Sequence, residues 1–553
     1  MKKVFRKSFQ ISLLAIALTA CGSNSGSQYK SETSSSSQIP STTNVASITQ
    51  PTSSSSPTSQ QAPAPVGSGL TMWTCFGGDY GAVIDRLIGE FNSDHQDSIY
   101  VEHTKKVDVH SLSTQILNSI STSTFPNIAP TNTGYQSEFF SKGIVLPLDS
   151  YIARYNEEHN TNLLNDFYGE YTAENLAISY DDSGNPYIAG LPFNRSTEVM
   201  LCNGYYFDYF KSLDSTIFVP STWEELYELT PKLNAIIESQ NLRNYNSRYL
   251  IGKIDANNHA YDFRISDTNE LASGEHVLQE LGDLSYEKDF YALGYDSPER
   301  AFSTVLHHWG VPYTAYSYDD YRNNEQYGKA YFWQNANKAA TTAALQFFVN
   351  LNSEKGFGFP HNFTETISCA RPLEEGRCLF TITSSGALSK PHFENKRLDL
   401  YPILYKDADH KYVYLDGTNI CLLNQFSSKD RYSQETYDAF TAMVDLTTGK
   451  HQAQWASTVG YFPVSKSAQN HSIYQNMLNN DNPTRLQSLY RSAGQINFNV
   501  YQTDWIKYAD PGFRDSQRLF LDCGTAFIRI LSGTSIESAM NELWSGTNQA
   551  IKG

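Results

Sequence analysis

From Gly69 onward the chain alternates short apolar runs with helical stripes. LTMWTCF, residues 70–76, reads as a buried strand closed by the breaker GGDYG. In AVIDRLIGEFNSDH, residues 82–95, the side chains Val83, Ile84, Leu87, Ile88 and Phe91 recur at helical steps. That spacing predicts a helix with one apolar face. SIYVEHTKK predicts the next strand and HSLSTQILNSIST the next helix, and SEFFSKGIVLPLDSYIA continues the alternation. A strand–helix–strand opening of this kind predicts an α/β fold.

Further along, Asp182-Ser183-Gly184-Asn185 predicts a turn between two strands. A strand then runs into Gly190-Leu191-Pro192 and on to the apolar EVMLCN, which reads as a passage from one folded unit to another. In VPSTWEELYELTPKL, Ser221 to Glu224 fits a capping box, with Trp223 and Leu226 turned inward. The middle third reads as helical and aromatic, with loops, and SIESAMNELWSGTNQAI as an amphipathic helix. No repeat of solenoid period is visible.

The N-terminus carries a different pattern. MKKVFRK is a positive n-region and FQISLLAIALTA an apolar h-region too short for a membrane span. Residues 1–20 are expected to be a lipoprotein signal peptide, because Leu18-Thr19-Ala20-Cys21 resembles a bacterial lipobox with lipidation at Cys21. The alternative is an ordinary secretory signal with an incidental cysteine. Residues 22–68 are mostly Ser, Thr, Pro, Gln and Gly, and predict a disordered tether. Random-coil scaling gives it a reach of about 35–40 Å.

Composition narrows the function. The 553-residue chain is long enough for two or more packed units, and its net charge of −17 argues against nucleic acid as a partner. Aromatic residues make up 13%, with 37 tyrosines, which suits either core packing or recognition of small polar molecules. No Cys/His spacing suggests a metal, and no cofactor is expected. Cys369 and Cys378 flank the short loop in SCARPLEEGRC, which leaves a bridge or two buried thiols open. Neither G-x-S-x-G nor H-E-x-x-H occurs, so catalysis is not expected.

Five segments in collinear order over residues 70–553 resemble the family 1 extracellular solute-binding proteins of ABC importers. They are the opening MWTCFGGDYGAVIDRLIGEFNSDHQDSIYVE, the passage LPFNRSTEVMLCNGYYFDYF, the turn VPSTWEEL, the strand and loop GRCLFTITSSGAL, and QAQWASTVGYFPVSKSA. The glycerol-3-phosphate-binding members match through PFNRST, TSSGAL, HHWGVPY and VGYFPVSKSA. The resemblance implies an α/β, two-lobed, type II periplasmic-binding-protein-like fold with ligand in an interlobe cleft. It places residues 69–192 with 384–430 in lobe 1 and residues 193–383 with 431–553 in lobe 2, with GRCLFTITSSGAL at a second crossing. It also implies ABC permease subunits as partners, and a lipid-anchored place on the extracytoplasmic face of a bacterial membrane.

Carried over residue by residue, the resemblance puts a phosphate at Ser196, Ser384, Ser385, Gly417, Tyr461 and Arg514, with Arg518 the competitor of Arg514. An arginine fork with neutral donors suits an anion, and glycine lets a backbone N–H come close. At the glycerol end the family's tyrosine and glutamate are replaced. Asp108 falls near the first, and Asn132 or Thr133 near the second. The expected ligand is therefore glycerol-3-phosphate, a glycerophosphodiester or a carbohydrate. Trp223, Trp309 and Tyr135 are candidate aromatic platforms, Trp309 because glycine and proline mark its loop. A surface sensor or adhesin that kept the fold is the alternative, and a cleft hydrolase the remote one.

Overall fold

The computed structural model describes residues 68–96, 98–242, 248–281, 289–366, 368–389, 397–425 and 433–552. The expected signal peptide, Cys21 and nearly all of the tether lie outside them.

The opening strand forms at Ser68–Thr74 and pairs in parallel with Ile99–Lys105 and Ile128–Thr131. The helix after it runs Gly78–Asp94, one turn earlier than the apolar stripe alone implies. Val83, Ile84, Leu87, Ile88 and Phe91 are all buried in it, as the spacing predicts. The first sheet has five strands, in the order Ile99–Lys105, Ser68–Thr74, Ile128–Thr131, Asn419–Leu422, Leu191–Pro192. Helices Gly78–Asp94, Gln434–Thr447 and Gly449–Val459 pack together on this part of the molecule. Full burial of each large apolar side chain there contributes about 1.5–3 kcal/mol.

The second sheet is built around Ser196–Asn203, all eight residues of which are buried. Cys378–Ser384 pairs with it antiparallel, as do Leu398–Tyr401 and Tyr412–Asp416. Tyr291–Tyr295 and Phe357–Gly358 extend one edge and Ile506–Tyr508 the other. Its aromatic core includes Trp223, Phe348, Phe357 and Phe527. The described chain is thus two-lobed, with an α/β core in each lobe.

Three passages join the lobes. The first is Phe193 to Arg195, between Leu191–Pro192 and Ser196–Asn203. The second is Gly417-Thr418, between Tyr412–Asp416 and Asn419–Leu422. The third lies between helix Ser472–Leu478, which packs on Gly449–Val459, and helix Arg485–Gln495, which packs on Leu398–Tyr401. Arg195 is fully buried and clamps the first two passages. Its Nη1 donates to Asn194 O and Thr418 O, and its Nη2 to Asn419 Oδ1.

These passages correct the expected lobe boundaries. Strands Leu398–Tyr401 and Tyr412–Asp416 belong to the second sheet, not to lobe 1. Helices Gln434–Thr447 and Gly449–Val459 pack with the first sheet's side, not lobe 2. Strands Cys378–Ser384 and Leu398–Tyr401, before and after the loop that follows Ser384, both belong to the second sheet, and the chain returns to the first sheet past Gly417. A Cβ at Gly417, where φ is +143°, would stand 2.0 Å from Asn194 O, so the two passages approach as only glycine allows.

Smaller expectations also shift. The turn near Asp182 is flanked by a single bridge, Tyr180 to Pro186, rather than two strands. The capping box is Thr222 with Glu225, one residue later than Ser221 with Glu224. The middle third contains an antiparallel sheet, Ala260–Ser266, Arg248–Ile254 and Glu275–Leu281, where helices and loops were expected. Cys369 and Cys378 are buried free thiols.

Candidate functional site

Between the lobes lies a cleft of about 880 Å³, within the range that ligand sites occupy. Its walls are largely helix starts. Asp108 Oδ1 accepts from Ser111 N (2.8 Å) at the start of Val109–Asn118. Asn132 Oδ1 accepts from Tyr135 N (3.0 Å) at the start of Thr133–Ser141. Facing them, Ser297 Oγ accepts from Arg300 N (3.2 Å) at the start of Pro298–His308. The fourth start is different. Helix Gly78–Asp94 begins at Gly77, which supplies no side-chain cap. First-turn amides have no intrahelical partner, so they are donors for whatever fills the cleft.

Serines and the passages form the floor. Ser384 Oγ donates to Ser196 Oγ at 2.9 Å, and Gly417 N to Asp416 Oδ1 at 2.8 Å. Tyr461 supplies an aromatic wall. Its ring is stacked on Trp455 at 6.2 Å and meets Tyr80 edge-on at 6.3 Å. Burial pushes the Tyr461 hydroxyl well above the usual phenol range, so it stays a neutral donor and acceptor. Behind it, the buried Trp455 donates Nε1–H to Asn194 Oδ1 at 2.7 Å, and Phe462 N donates to Arg195 O at 2.8 Å. The aromatic loop thus divides its labour: Tyr461 lines the cleft, while Trp455 and Phe462 pack.

The electrostatics are acidic. Asp108, Asp296, Glu299, Glu365 and Asp416 line the cleft, and Arg300 is the sole lysine or arginine among the described lining residues. Arg300 forms ion pairs with Asp416 and, at 3.6 Å, with Glu198. Burial opposes its charge, but the two carboxylates outweigh burial and raise its pKa further. Asp296 accepts from Cys369 N (2.7 Å) and Thr383 Oγ1 (2.6 Å). Among the described residues no group of three or more His, Cys, Asp or Glu is arranged to hold a metal. Burial pushes the Cys75 thiol up to about 12, which keeps it protonated.

The model of a family described as bacterial extracellular solute-binding protein matches residues 86–481. The chain belongs to that family. Solved structures of similar fold include the GacH receptor of Streptomyces glaucescens GLA.O, determined unliganded and with acarbose. Its TM-score is 0.58 at 14% identity, covering 88% of this chain and 98% of that one. UgpB from Mycobacterium tuberculosis, in complex with glycerophosphocholine, gives 0.58 at 15%, covering 86% and 96%. Maltose-bound T. maritima MalE3 gives 0.58 at 13%, covering 86% and 98%. No curated protein matches the chain by sequence.

In this solute-binding protein the cleft brings together Ser196, Ser384, Gly417, Tyr461, Asp108 and Asn132 of the expected set. Thr133 lines a side chamber of about 160 Å³ that shares Asn132, Arg300 and Gly417 with the cleft. Other expected residues lie elsewhere. Ser385 is fully buried, with its hydroxyl unpartnered, and does not line the cleft. Arg514 sits over the Tyr327 ring at 4.8 Å, with Glu325 at 3.6 Å, and Arg518 pairs along its own helix with Asp522. Trp309 packs on Phe347 and Phe348 beneath Lys406. Trp223 is buried and donates to His308 Nδ1 at 2.9 Å. Tyr135 is buried with its hydroxyl on His110, and burial raises it to about 12.

The arginine that does reach the cleft, Arg300, escaped the sequence reading. Ser297-Pro298-Glu299 signals a helix start, but nothing in the linear pattern aims that start at a cleft.

Proposed function

We propose that this solute-binding protein captures a neutral carbohydrate in the cleft and delivers it to an ABC permease, held by a lipid on Cys21 at the extracytoplasmic face of a bacterial membrane. The charge balance of the cleft carries the reading. Five carboxylates face one arginine, and that arginine is already ion-paired with Asp416, with Glu198 3.6 Å away. An anion entering here meets like charge without a free cation, whereas sugar hydroxyls find acceptors in the carboxylates and donors in the Gly77 helix start. The Tyr461 ring offers a face for the C–H side of a sugar.

A phosphate-bearing polyol is the second reading. Ser196, Ser384, Gly417 and Tyr461 favour it, because they share the cleft with Arg300. Calorimetry with maltotriose and other neutral oligosaccharides, glycerol-3-phosphate and glycerophosphocholine decides between them. The expected result is a neutral oligosaccharide bound at least ~10-fold, or about 1.4 kcal/mol, more tightly than either phosphate. Saturable binding of the phosphates alone overturns the carbohydrate reading.

A further inference from the structure

Asn132 touches two systems at once. It lines the cleft and caps helix Thr133–Ser141 through Oδ1. Its Nδ2 donates to Gln517 Oε1 at 2.9 Å, across to helix Ser516–Leu531 of the other lobe. Beside that bond, Asp515 N donates to Glu138 Oε1 at 2.6 Å. Asp515 has φ +68°, a left-handed conformation that aspartate adopts more readily than most residues with a Cβ. Its carboxylate is held too, accepting from Asn548 Nδ2 at 3.0 Å.

Two glycines let the lobes touch here. A Cβ on Gly134 would stand 2.9 Å from the Gln517 Cβ, and one on Gly512 would stand 2.3 Å from Thr133 O. None of the three chain passages runs through this seam, so it is held by side chains and close backbone approach alone. The side chamber lies against it, lined by Asn132, Arg300, Gly417 and Gln517.

We propose that this seam is a non-covalent clasp between the lobes, and that Asn132 is the positioning residue coupling the clasp to solute capture. The cap bond from Tyr135 N already orients the amide, and a ligand hydroxyl donating to the same Oδ1 adds to it and so holds Nδ2 on Gln517. Occupancy of the cleft and docking of the seam then favour each other by the same factor. The coupling rests on the cleft being the solute site; the clasp does not.

Hydrogen exchange at the Asp515 amide reads the clasp in the unliganded chain. Stopped-flow dissociation of maltotriose reads the coupling, with glycerophosphocholine as the probe if no neutral sugar binds. Gln517→Ala removes the acceptor, Gln517→Glu keeps one, and Asn132→Ser keeps the helix cap while losing the reach to Gln517. Gln517→Ala and Asn132→Ser are expected to speed Asp515 exchange by about 2- to 12-fold, the loss of one hydrogen bond. Gln517→Ala should speed ligand dissociation over the same range, with a melting temperature within about 3 °C of wild type. Gln517→Glu should restore both. Wild-type exchange in Gln517→Ala overturns the clasp. Faster exchange with unchanged dissociation overturns the coupling through Asn132. A wild-type chain that binds only glycerophosphocholine sinks the carbohydrate reading and leaves both of these measurements in force.

Discussion

Glu198 lies in strand Ser196–Asn203 of the second sheet, two residues from the cleft-lining Ser196, and is 1% exposed. Tyr295 donates to its Oε2 at 2.7 Å, and Arg300 lies 3.6 Å from its Oε1. Both favour the carboxylate, yet burial outweighs them and pushes Glu198 up to about 7. Burial also pushes Asp510 up to about 7, against one hydrogen bond from Ser303. An unfolded glutamate titrates near 4.3 and an aspartate near 3.9. The folded chain therefore holds these protons over a pH range where the unfolded chain has lost them. Their stabilisation is fully present below about pH 4 and is lost as pH rises through 7. Burial also holds His308 down at about 3, which adds stability as pH rises towards 6.5 and opposes the two acids. The melting temperature of Glu198→Gln relative to wild type should therefore rise from pH 5 to pH 8, and adding Asp510→Asn should enlarge that rise. A difference that stays constant over this range in Glu198→Gln would show that the group is not protonated in the fold. At this scale the sequence is a partial guide. Ser196 and Ser384 reach the cleft from strand ends, Gly417 from a passage and Tyr461 from the loop after helix Gly449–Val459, each marked by a local motif. Arg300 lies in helix Pro298–His308 and Arg514 in the turn before helix Ser516–Leu531; which of them faces the cleft depends on how those helices dock, and no local motif encodes that.

Elements were more legible where one face meets a core. The stripe from Val83 to Phe91 is buried as its spacing requires. The sheet around Arg248–Ile254 is a weaker case. In strand Ala260–Ser266 the side chains Tyr261, Phe263 and Ile265 alternate with Asp262, Arg264 and Ser266, but only Ala260 is fully buried, so the alternating face meets the core only at its margin. The helix beginning at Trp223 shows a finer limit. Ser221 and Thr222 are each followed three residues later by a glutamate, so the capping-box pattern fits twice. The structure selects Thr222: Glu225 N donates to its Oγ1 at 3.1 Å, and Glu225 Oε2 accepts from Thr222 N at 3.2 Å. Glu224 instead pairs with Lys406. Thr222→Ala should cost about 0.5–2 kcal/mol. Ser221→Ala should stay within about 0.5 kcal/mol, since it loses no side-chain cap. Chemical denaturation of the two variants measures both, and equal losses would contradict the observed register.

For the whole molecule, the order of five weak motifs carried the two-lobed fold, while the lobe boundaries depended on approaches between distant residues. Gly417 against Asn194 O is one such approach, and Arg195 on Thr418 O and Asn419 Oδ1 is another. Both lobe cores are drawn from residues between Leu70 and Ile551. The Ser/Thr-rich residues 22–68 bring almost no large apolar side chain that could extend either core. A chain starting at Ser68 should therefore melt within about 2 °C of the chain starting at Cys21, because stability follows buried apolar surface rather than chain length. The same pair tests the anchor. With two or more acyl chains on Cys21 the longer protein should sediment with membranes, and the shorter one should stay in solution. A drop of more than about 5 °C on truncation would mean that residues 22–67 pack on the lobes. Recovery of the longer protein in the soluble fraction would refute lipid anchoring while leaving the fold and the cleft untouched.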